Sequence, residues 1–223
     1  MFAWSHNAFY SRMLARRVPR PSRRILDVGC GTGAFAAELA RYAEHVDAID
    51  RSPDMIDSAM RTVPGNVTCI LGDVLDWEFP EENYDAIVSV TALHHVPLDE
   101  ALPVLARALR PGGVLAAVAL PRFDPREVPF DLVAMVAHRV LAGLFFLLRV
   151  LGRGRWFAVD QDPAMPVVLD PPLTTREARR VAEALLPGVR VRRRLFWRYS
   201  LEWHKPTDGT RSEPRVYEAG EKY

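Results

Sequence analysis

Short apolar runs alternate along the chain with amphipathic stretches at helical spacing. Where the runs are rich in Ile, Val, Leu and Ala and bounded by polar residues, they have the length of buried strands. Five runs are interpreted in this way: 25–28, 46–50, 67–71, 84–90 and 114–120. Helical patterns separate them, as over 99–109, where apolar residues recur every three or four positions. This alternation predicts an α/β fold around a mostly parallel sheet.

The carboxy-terminal part of the chain predicts one more helix and two more strands. A helical pattern covers 175–186, and apolar and polar residues then alternate over 189–205. The alternation indicates two final strands joined by a turn near Phe196–Arg198 or, since no Gly or Asn marks a turn, one long bent strand. Its aromatic residues Trp197, Tyr199 and Trp203 are interpreted as part of the core.

A long connection, 121–173, separates the fifth strand from the helix that follows it. Within it, 128–151 predicts a very apolar helix, whose longest uncharged run is far shorter than the ~20 residues that span a bilayer. Three interpretations stay open for this helix. It forms a lid over an apolar substrate, a homodimer interface, or a peripheral membrane contact through 128–156. The polar residues 206–223 predict a disordered tail.

Composition sets broad limits on the class of protein. With 223 residues and 49% apolar content, the chain is suited to one domain with one core. The formal net charge is +1, although Arg190–Arg198 is densely basic, and no nucleic-acid partner is expected. The two cysteines, Cys30 and Cys69, have no partners at metal-ligand spacing, so no metal is expected. Their number and the absence of an apolar leader predict a reducing, cytoplasmic location, with membrane association as the alternative.

Residues 25–33, Ile-Leu-Asp-Val-Gly-Cys-Gly-Thr-Gly, are the most informative segment for chemistry. A strand pattern ends in Gly29, Gly31 and Gly33, and a helical pattern follows. Glycines in such a turn let a ligand lie against bare backbone near a helix start. The spacing also fits a nicotinamide dinucleotide loop. Asp27, however, suits a cationic ammonium better than a pyrophosphate, and this favours S-adenosylmethionine.

Acidic residues end or follow the next two strands. Asp50 comes about 20 residues after the glycines, where a ribose-binding carboxylate belongs in a nucleotide-binding βαβ unit. Ser52 is then a suitable N-cap and Pro53 suits the first position of a helix, so a helix is predicted to begin here. Asp73 follows the third strand and is predicted to accept a hydrogen bond from the adenine amine, with Val74 against the ring.

In their order and spacing, these segments resemble a class I S-adenosylmethionine-dependent methyltransferase of the small-molecule type. The segments that carry the resemblance are the glycine loop, Asp50, Gly72-Asp73-Val74, Tyr84–Val96 and Leu109–Gly113. The resemblance implies a doubly wound, Rossmann-like sheet of seven strands with an antiparallel last strand and a helical insertion after the fifth strand. The methyltransferase domain would cover 25–205, and 1–24 would form a helical cover.

The resemblance also implies S-adenosylmethionine as cofactor and a small molecule as methyl acceptor, and the apolar insertion favours a lipophilic one. The residues that it assigns to the cofactor are Asp27, Gly29, Cys30, Gly31, Gly33, Asp50, Arg51, Met55, Asp73, Val74 and Thr91. The methyl group would move by in-line displacement, for which alignment supplies much of the rate.

Three histidines are candidate catalytic residues. His94 and His95 follow the fourth strand at the edge where such sheets bind ligands, and imidazole titrates near neutrality as a general base must. The competing interpretation is that one of the pair packs in the core. In the helical cover, His6 is the third candidate base, and Asn7 and Tyr10 are candidate substrate contacts.

Two other functions are compatible with the same motifs. The first is a non-catalytic S-adenosylmethionine-binding or regulatory module that keeps the fold without methyl transfer. The second is a nicotinamide-dependent oxidoreductase, which Asp27 disfavours and for which the chain offers no Tyr/Lys proton-donor pair. Turnover with an acceptor and the choice of nucleotide distinguish the three functions.

Overall fold

A computed structural model describes residues 6–127 and 171–207. Seven strands are present in this part of the chain: β1 Ser22–Val28, β2 Ala43–Asp50, β3 Val67–Leu71, β4 Tyr84–Val90, β5 Leu109–Ala119, β6 Arg190–Arg194 and β7 Arg198–His204. The helices described are α1 His6–Ala15, α2 Ala34–Leu39, α3 Pro53–Met60, α4 Leu98–Ala108 and α5 Thr175–Leu185.

All seven strands form one sheet in the order β3-β2-β1-β4-β5-β7-β6. The first five strands pair in parallel, whereas β7 is antiparallel to both of its neighbours. The predicted doubly wound sheet with an antiparallel last strand is therefore confirmed. Strands β1, β2 and β5 begin three to five residues earlier than their apolar runs, since backbone pairing continues into polar sequence such as Ser22 opposite Ala43.

Helices cover both faces of the sheet. Helices α1, α2 and α3 pack on one face, where the core includes Val46, Val88 and Val114. Helices α4 and α5 pack on the other face, against residues such as Leu26 and Leu115. Strands covered on both sides are apolar throughout, which explains why continuous apolar runs rather than alternation mark β1 and β4.

Strands β6 and β7 form a hairpin whose turn contains two residues with left-handed backbone. Phe196 has φ 58° and Trp197 has φ 51°, so the predicted turn in this region is confirmed. The turn interrupts the alternation of the strands: Tyr199 and Trp203 are buried, but Trp197 is 55% exposed. The core position expected for Trp197 is therefore wrong, because the side chain belongs to the turn and not to the strand.

The helix predicted over 128–151 lies outside the described residues, together with most of the 121–173 insertion and the tail from 208 onward. The lid, dimer and membrane interpretations of 128–156 thus stay predictions. Within 6–127 and 171–207, no helix combines the length and hydrophobicity needed to cross a membrane.

Candidate functional site

A cavity of about 650 Å³ opens along the carboxyl edge of the sheet. It lies where the strand order reverses between β1 and β4, the place where doubly wound sheets bind ligands, and its volume suits a small molecule. We call the part lined by Gly31, Asp50 and Asp73 the acidic end, and the part lined by Asn7, Leu120 and Arg198 the arginine end.

Asp50 ends β2 and organises the loop that follows β1. Its Oδ2 accepts a hydrogen bond from the Gly31 N–H at 2.9 Å, and its Oδ1 accepts one from the Ser52 N–H at 2.9 Å. The Ser52 hydroxyl in turn accepts from the Met55 N–H and caps α3. Because each carboxylate oxygen has a second lone pair, Asp50 can still accept hydrogen bonds from ligand hydroxyls.

The three glycines of the loop have different structural roles. Gly29, with φ 71°, approaches the turn after β4 so closely that an added Cβ would lie 2.1 Å from the Cβ of Ala92. Gly31 lines the cavity beside it. Gly33 does not line the cavity, contrary to expectation: a Cβ there would lie 2.7 Å from a Val63 methyl, so this glycine allows packing against the end of α3.

Asp27 and Cys30, both expected at the cofactor, are buried and do not line the cavity. Asp27 is 1% exposed, and its Oδ2 has no hydrogen-bond partner among the described residues. Burial, reinforced by the charge of Asp50, raises the pKa of Asp27 to about 7. The Cys30 thiol donates to the Gly31 carbonyl at 3.7 Å, and burial raises its pKa.

The remaining residues assigned to the adenosyl group come together at the acidic end. Asp73 is partly buried, and its Oδ1 accepts from the Leu75 N–H at 2.9 Å. Val74 is buried beside it, and both residues line the cavity. Arg51 and Met55 line the cavity from the start of α3.

The turn after β4 forms the middle of the cavity wall. Thr91 has φ 59°, a strained value for a β-branched residue, and its hydroxyl donates to Asn7 Oδ1 at 3.1 Å. The rings of His94 and His95 lie 4.1 Å apart between centroids. Burial, followed by the influence of His95 and Arg198, lowers the pKa of His94 to about 3. Burial also lowers the pKa of His95.

His94 is therefore a neutral imidazole at pH 7 and a weak base. Its side chain is 6% exposed, and Nδ1 has no hydrogen-bond partner among the described residues. The buried surroundings of the ring disfavour its charged form, so they argue against the general-base role, which stays a prediction.

The amino-terminal helix contributes Asn7 to the cavity but not Tyr10. Tyr10 is 1% exposed, and its hydroxyl donates to the Leu195 carbonyl at 2.5 Å, so this residue packs α1 onto the β6–β7 hairpin. The substrate contact expected for Tyr10 is therefore not present in this structure. His6 begins α1, and its side chain lies outside the described part of the chain.

Arg198, the first residue of β7, lines the cavity although the sequence did not single it out. Its Nη1 donates to the Phe196 carbonyl at 2.8 Å and its Nη2 to Asn7 Oδ1 at 3.2 Å. Burial lowers the pKa of the guanidinium. The topology predicts this position, because the first residue of a last strand that is antiparallel to β5 lies at the carboxyl edge of the sheet. The basic composition of 190–198 alone does not distinguish Arg198 from its neighbours.

Comparison with known proteins identifies the class of chemistry. A family model described as a methyltransferase domain matches residues 25–113. An uncharacterized methyltransferase of Mycobacterium tuberculosis is 32% identical over 205 residues, which cover 91% of this chain and 98% of that protein. The fold also matches the DhpI-SAH complex, with a TM-score of 0.58, 21% identity, and coverage of 90% of this chain and 85% of that one.

Two relatives whose names include a substrate match only part of the chain. A 2-methyl-6-phytyl-1,4-hydroquinone methyltransferase of Synechocystis is 34% identical, over 50% of this chain and 36% of that protein. A fatty-acid O-methyltransferase of Mycolicibacterium smegmatis is 38% identical, over 47% of this chain and 40% of that protein. Since the mycobacterial relative matches along nearly its whole length and the cavity lies at the switch point of a matching fold, the chain belongs to the class I S-adenosylmethionine-dependent methyltransferases.

Proposed function

We propose that this methyltransferase acts on a small, lipophilic acceptor that binds at the arginine end of the cavity. The observation that carries the proposal is one continuous cavity with two chemically different ends. Carboxylates and backbone N–H groups line the first end. At the second, Leu93, Val96 and Leu120 form apolar walls around a few polar groups, a composition typical of sites for lipophilic molecules.

The acidic end fits the cofactor. Asp50 would hold the ribose hydroxyls with its free lone pairs, and Asp73 and Val74 would hold the adenine. The carboxyl of Asp27 is buried behind the cavity wall that Gly29 and Gly31 form, and its charge would favour the cationic ammonium of the methionine moiety on the cavity side of this loop. When bound, S-adenosylmethionine supplies a methyl group activated by a sulfonium.

Two observations support a lipophilic acceptor. The two partial relatives with named substrates act, by those names, on a fatty acid and on a phytyl hydroquinone, which are both lipophilic. In this chain, the wall residue Leu93 is buried and Leu120 is partly buried, so an apolar acceptor placed against them would lose contact with water. Such a wall orients the acceptor for in-line displacement and excludes competing water.

The test is turnover with matched pairs of acceptors that share one functional group and differ in apolar size. The purified protein is incubated with S-adenosylmethionine and octanoate or acetate, and with 1-naphthol or phenol, and S-adenosylhomocysteine is measured by mass spectrometry. We expect turnover with the lipophilic member of at least one pair, and at least about tenfold less with its small partner. Equal turnover within every pair, or none with any acceptor although S-adenosylhomocysteine binds, would contradict the proposal.

A further inference from the structure

We infer that Arg198 recognises a carboxylate on the methyl acceptor, which makes this residue the specificity determinant of the arginine end. The inference rests on the proposed function, since it names the chemical class of the molecule that occupies the same site. It comes from the position of Arg198, its lack of an acidic partner and its free hydrogen-bond donors.

The position of Arg198 follows from the register of β7. Tyr199 pairs with Ala119 near the end of β5, so the residue before it lies beside Leu120 at the carboxyl edge. The sheet order separates this residue from Asp73 and Asp50, which lie beyond the other side of β4. Arg198 is therefore placed for the acceptor side of the cavity and not for the adenosyl side.

Arg198 has no carboxylate partner among the described residues. Two other partly buried arginines pair with acids: Arg24 with Asp47 at 2.7 Å, and Arg193 with Glu127 at 3.0 Å. Arg198 instead donates to two neutral oxygens, a backbone carbonyl and an amide oxygen. Burying a guanidinium without a counter-charge is costly, and an anionic ligand would offset this cost.

The guanidinium keeps donors for such a ligand. Nη1 and Nη2 each use one N–H, for the Phe196 carbonyl and the Asn7 amide oxygen, and each keeps a second N–H; Nε is buried and has no partner within the described part of the chain. The Cζ atom lies 5.6 Å from the centroid of the Tyr10 ring, whose face limits how the guanidinium can turn. A planar, oriented guanidinium matches the two oxygens of a carboxylate better than a single neutral hydroxyl.

A carboxylate acceptor also removes the need for a general base. One carboxylate oxygen forms the bond to the methyl carbon while the bond between that carbon and the sulfonium sulfur breaks. The products are a methyl ester and a neutral thioether, and no proton moves. This agrees with a site in which the buried imidazole, His94, is neutral and weakly basic at pH 7.

The test measures acceptor binding without turnover. Protein saturated with S-adenosylhomocysteine is titrated calorimetrically with octanoate and with octanamide, which has the same shape without the charge. The titrations are repeated with Arg198→Gln, with Arg198→Lys and with Arg192→Gln, a control at an exposed position on the neighbouring strand. We expect octanoate to bind the wild type at least about tenfold more tightly than octanamide. Arg198→Gln should remove this preference, Arg198→Lys should keep part of it, and Arg192→Gln should keep it in full.

Octanoate that binds the wild type no better than octanamide, or a preference that survives in Arg198→Gln, would overturn the inference. A carboxylate also exists on the cofactor, and a second titration separates the two sources. If Arg198→Gln weakened binding of S-adenosylhomocysteine but not of 5′-methylthioadenosine, which lacks the amino-acid part, Arg198 would belong to the cofactor site and the inference would be wrong. These outcomes concern only the preference for a charged ligand over a neutral one. They are therefore distinguishable from a failure of the proposed function, which would appear as equal or absent turnover of lipophilic and small acceptors.

Discussion

The two ends of the cavity carry opposite charges and stabilise them in different ways. At the acidic end, the Asp50 carboxylate accepts hydrogen bonds from two backbone N–H groups. These bonds fix the glycine loop and stabilise the charge of the carboxylate. At the arginine end, Arg198 is held by two neutral oxygens and has no acid beside it among the described residues. At the first end backbone donors fix the Asp50 carboxylate, whereas at the second end Arg198 retains its charge for a ligand. The difference suggests a fixed cofactor site beside an acceptor site selected by charge.

The two ends meet at the turn after β4. The contact between Gly29 and Ala92 joins this turn to the glycine loop, and the hydrogen bond from Thr91 to Asn7 joins it to the arginine end. Variants can therefore damage one end, both ends or neither, and their effects test whether the ends are separate.

The largest effect is expected at the acidic end. Asp50→Ala removes the acceptor of the Gly31 and Ser52 N–H groups together with the proposed ribose contact. We expect binding of S-adenosylhomocysteine, measured by calorimetry, to fall by at least about 1000-fold, since several charge-assisted hydrogen bonds are lost at once. Asp57→Ala, at an exposed position of α3, is the control and should bind normally. Unchanged affinity in Asp50→Ala would refute the assignment of the acidic end.

A smaller effect is expected where the ends meet. Gly29→Ala places a methyl 2.1 Å from the Cβ of Ala92, at a residue with φ 71°. We expect the free energy of unfolding to decrease by about 2 kcal/mol, and affinity for cofactor and acceptor to fall together. Gly65→Ala, where no atom lies within 4 Å of the added Cβ, should change neither quantity. A Gly29→Ala protein as stable as the wild type would show that the two loops do not need this contact.

A third prediction concerns pH and Asp27. Its carboxyl has a pKa of about 7 and must lose its proton to pair with an ammonium, so affinity should rise with pH. Between about pH 6 and about pH 7.5, we expect the affinity for S-adenosylhomocysteine to rise roughly eightfold. The rise should be absent for 5′-methylthioadenosine, which has no ammonium, and for Asp27→Asn. If the wild type showed the same affinity at both pH values, Asp27 would not hold the ammonium.

The smallest effect is expected for His94. Because the pKa of its ring is about 3, the imidazole should stay neutral, without the second ring proton, in the neutral range and should be a poor general base. We expect His94→Gln to change kcat by less than about threefold and to leave the pH dependence of kcat between about pH 6 and about pH 8 unaltered. Loss of an ionisation near neutrality in this variant would restore His94 as the general base.

The acidic end was largely predictable from the sequence, and the reason is its local origin. Asp50 is the last residue of β2, and Asp73 and Val74 follow closely after β3, so the βα pattern alone places them at one edge of a parallel sheet. The fold class could be predicted for the same reason. Asp27 and Gly33 belong to the same segment, but whether they open onto the cavity depends on how α3 and the loops pack over them.

The arginine end was less predictable because its residues come from distant parts of the chain. Asn7 and Arg198 meet only after α1 has packed on the sheet and β7 has paired with β5. The alternation of apolar and polar residues also could not show that Trp197 belongs to a turn. Its backbone is left-handed, but the turn contains no Gly or Asn, the residues that usually mark such a conformation in a sequence. The pKa of His94 depends on burial and on Arg198, neither of which is visible in the Leu-His-His sequence.

A crystal structure of the complex with S-adenosylhomocysteine is the most direct test of whether the cofactor occupies the acidic end and leaves the arginine end to the acceptor. We predict the ribose hydroxyls at the Asp50 carboxylate, the ammonium beside Asp27, and no contact between the cofactor and Arg198. Placement of the homocysteine carboxylate on Arg198, or of the ribose away from Asp50, would contradict the division of the cavity into a cofactor end and an acceptor end.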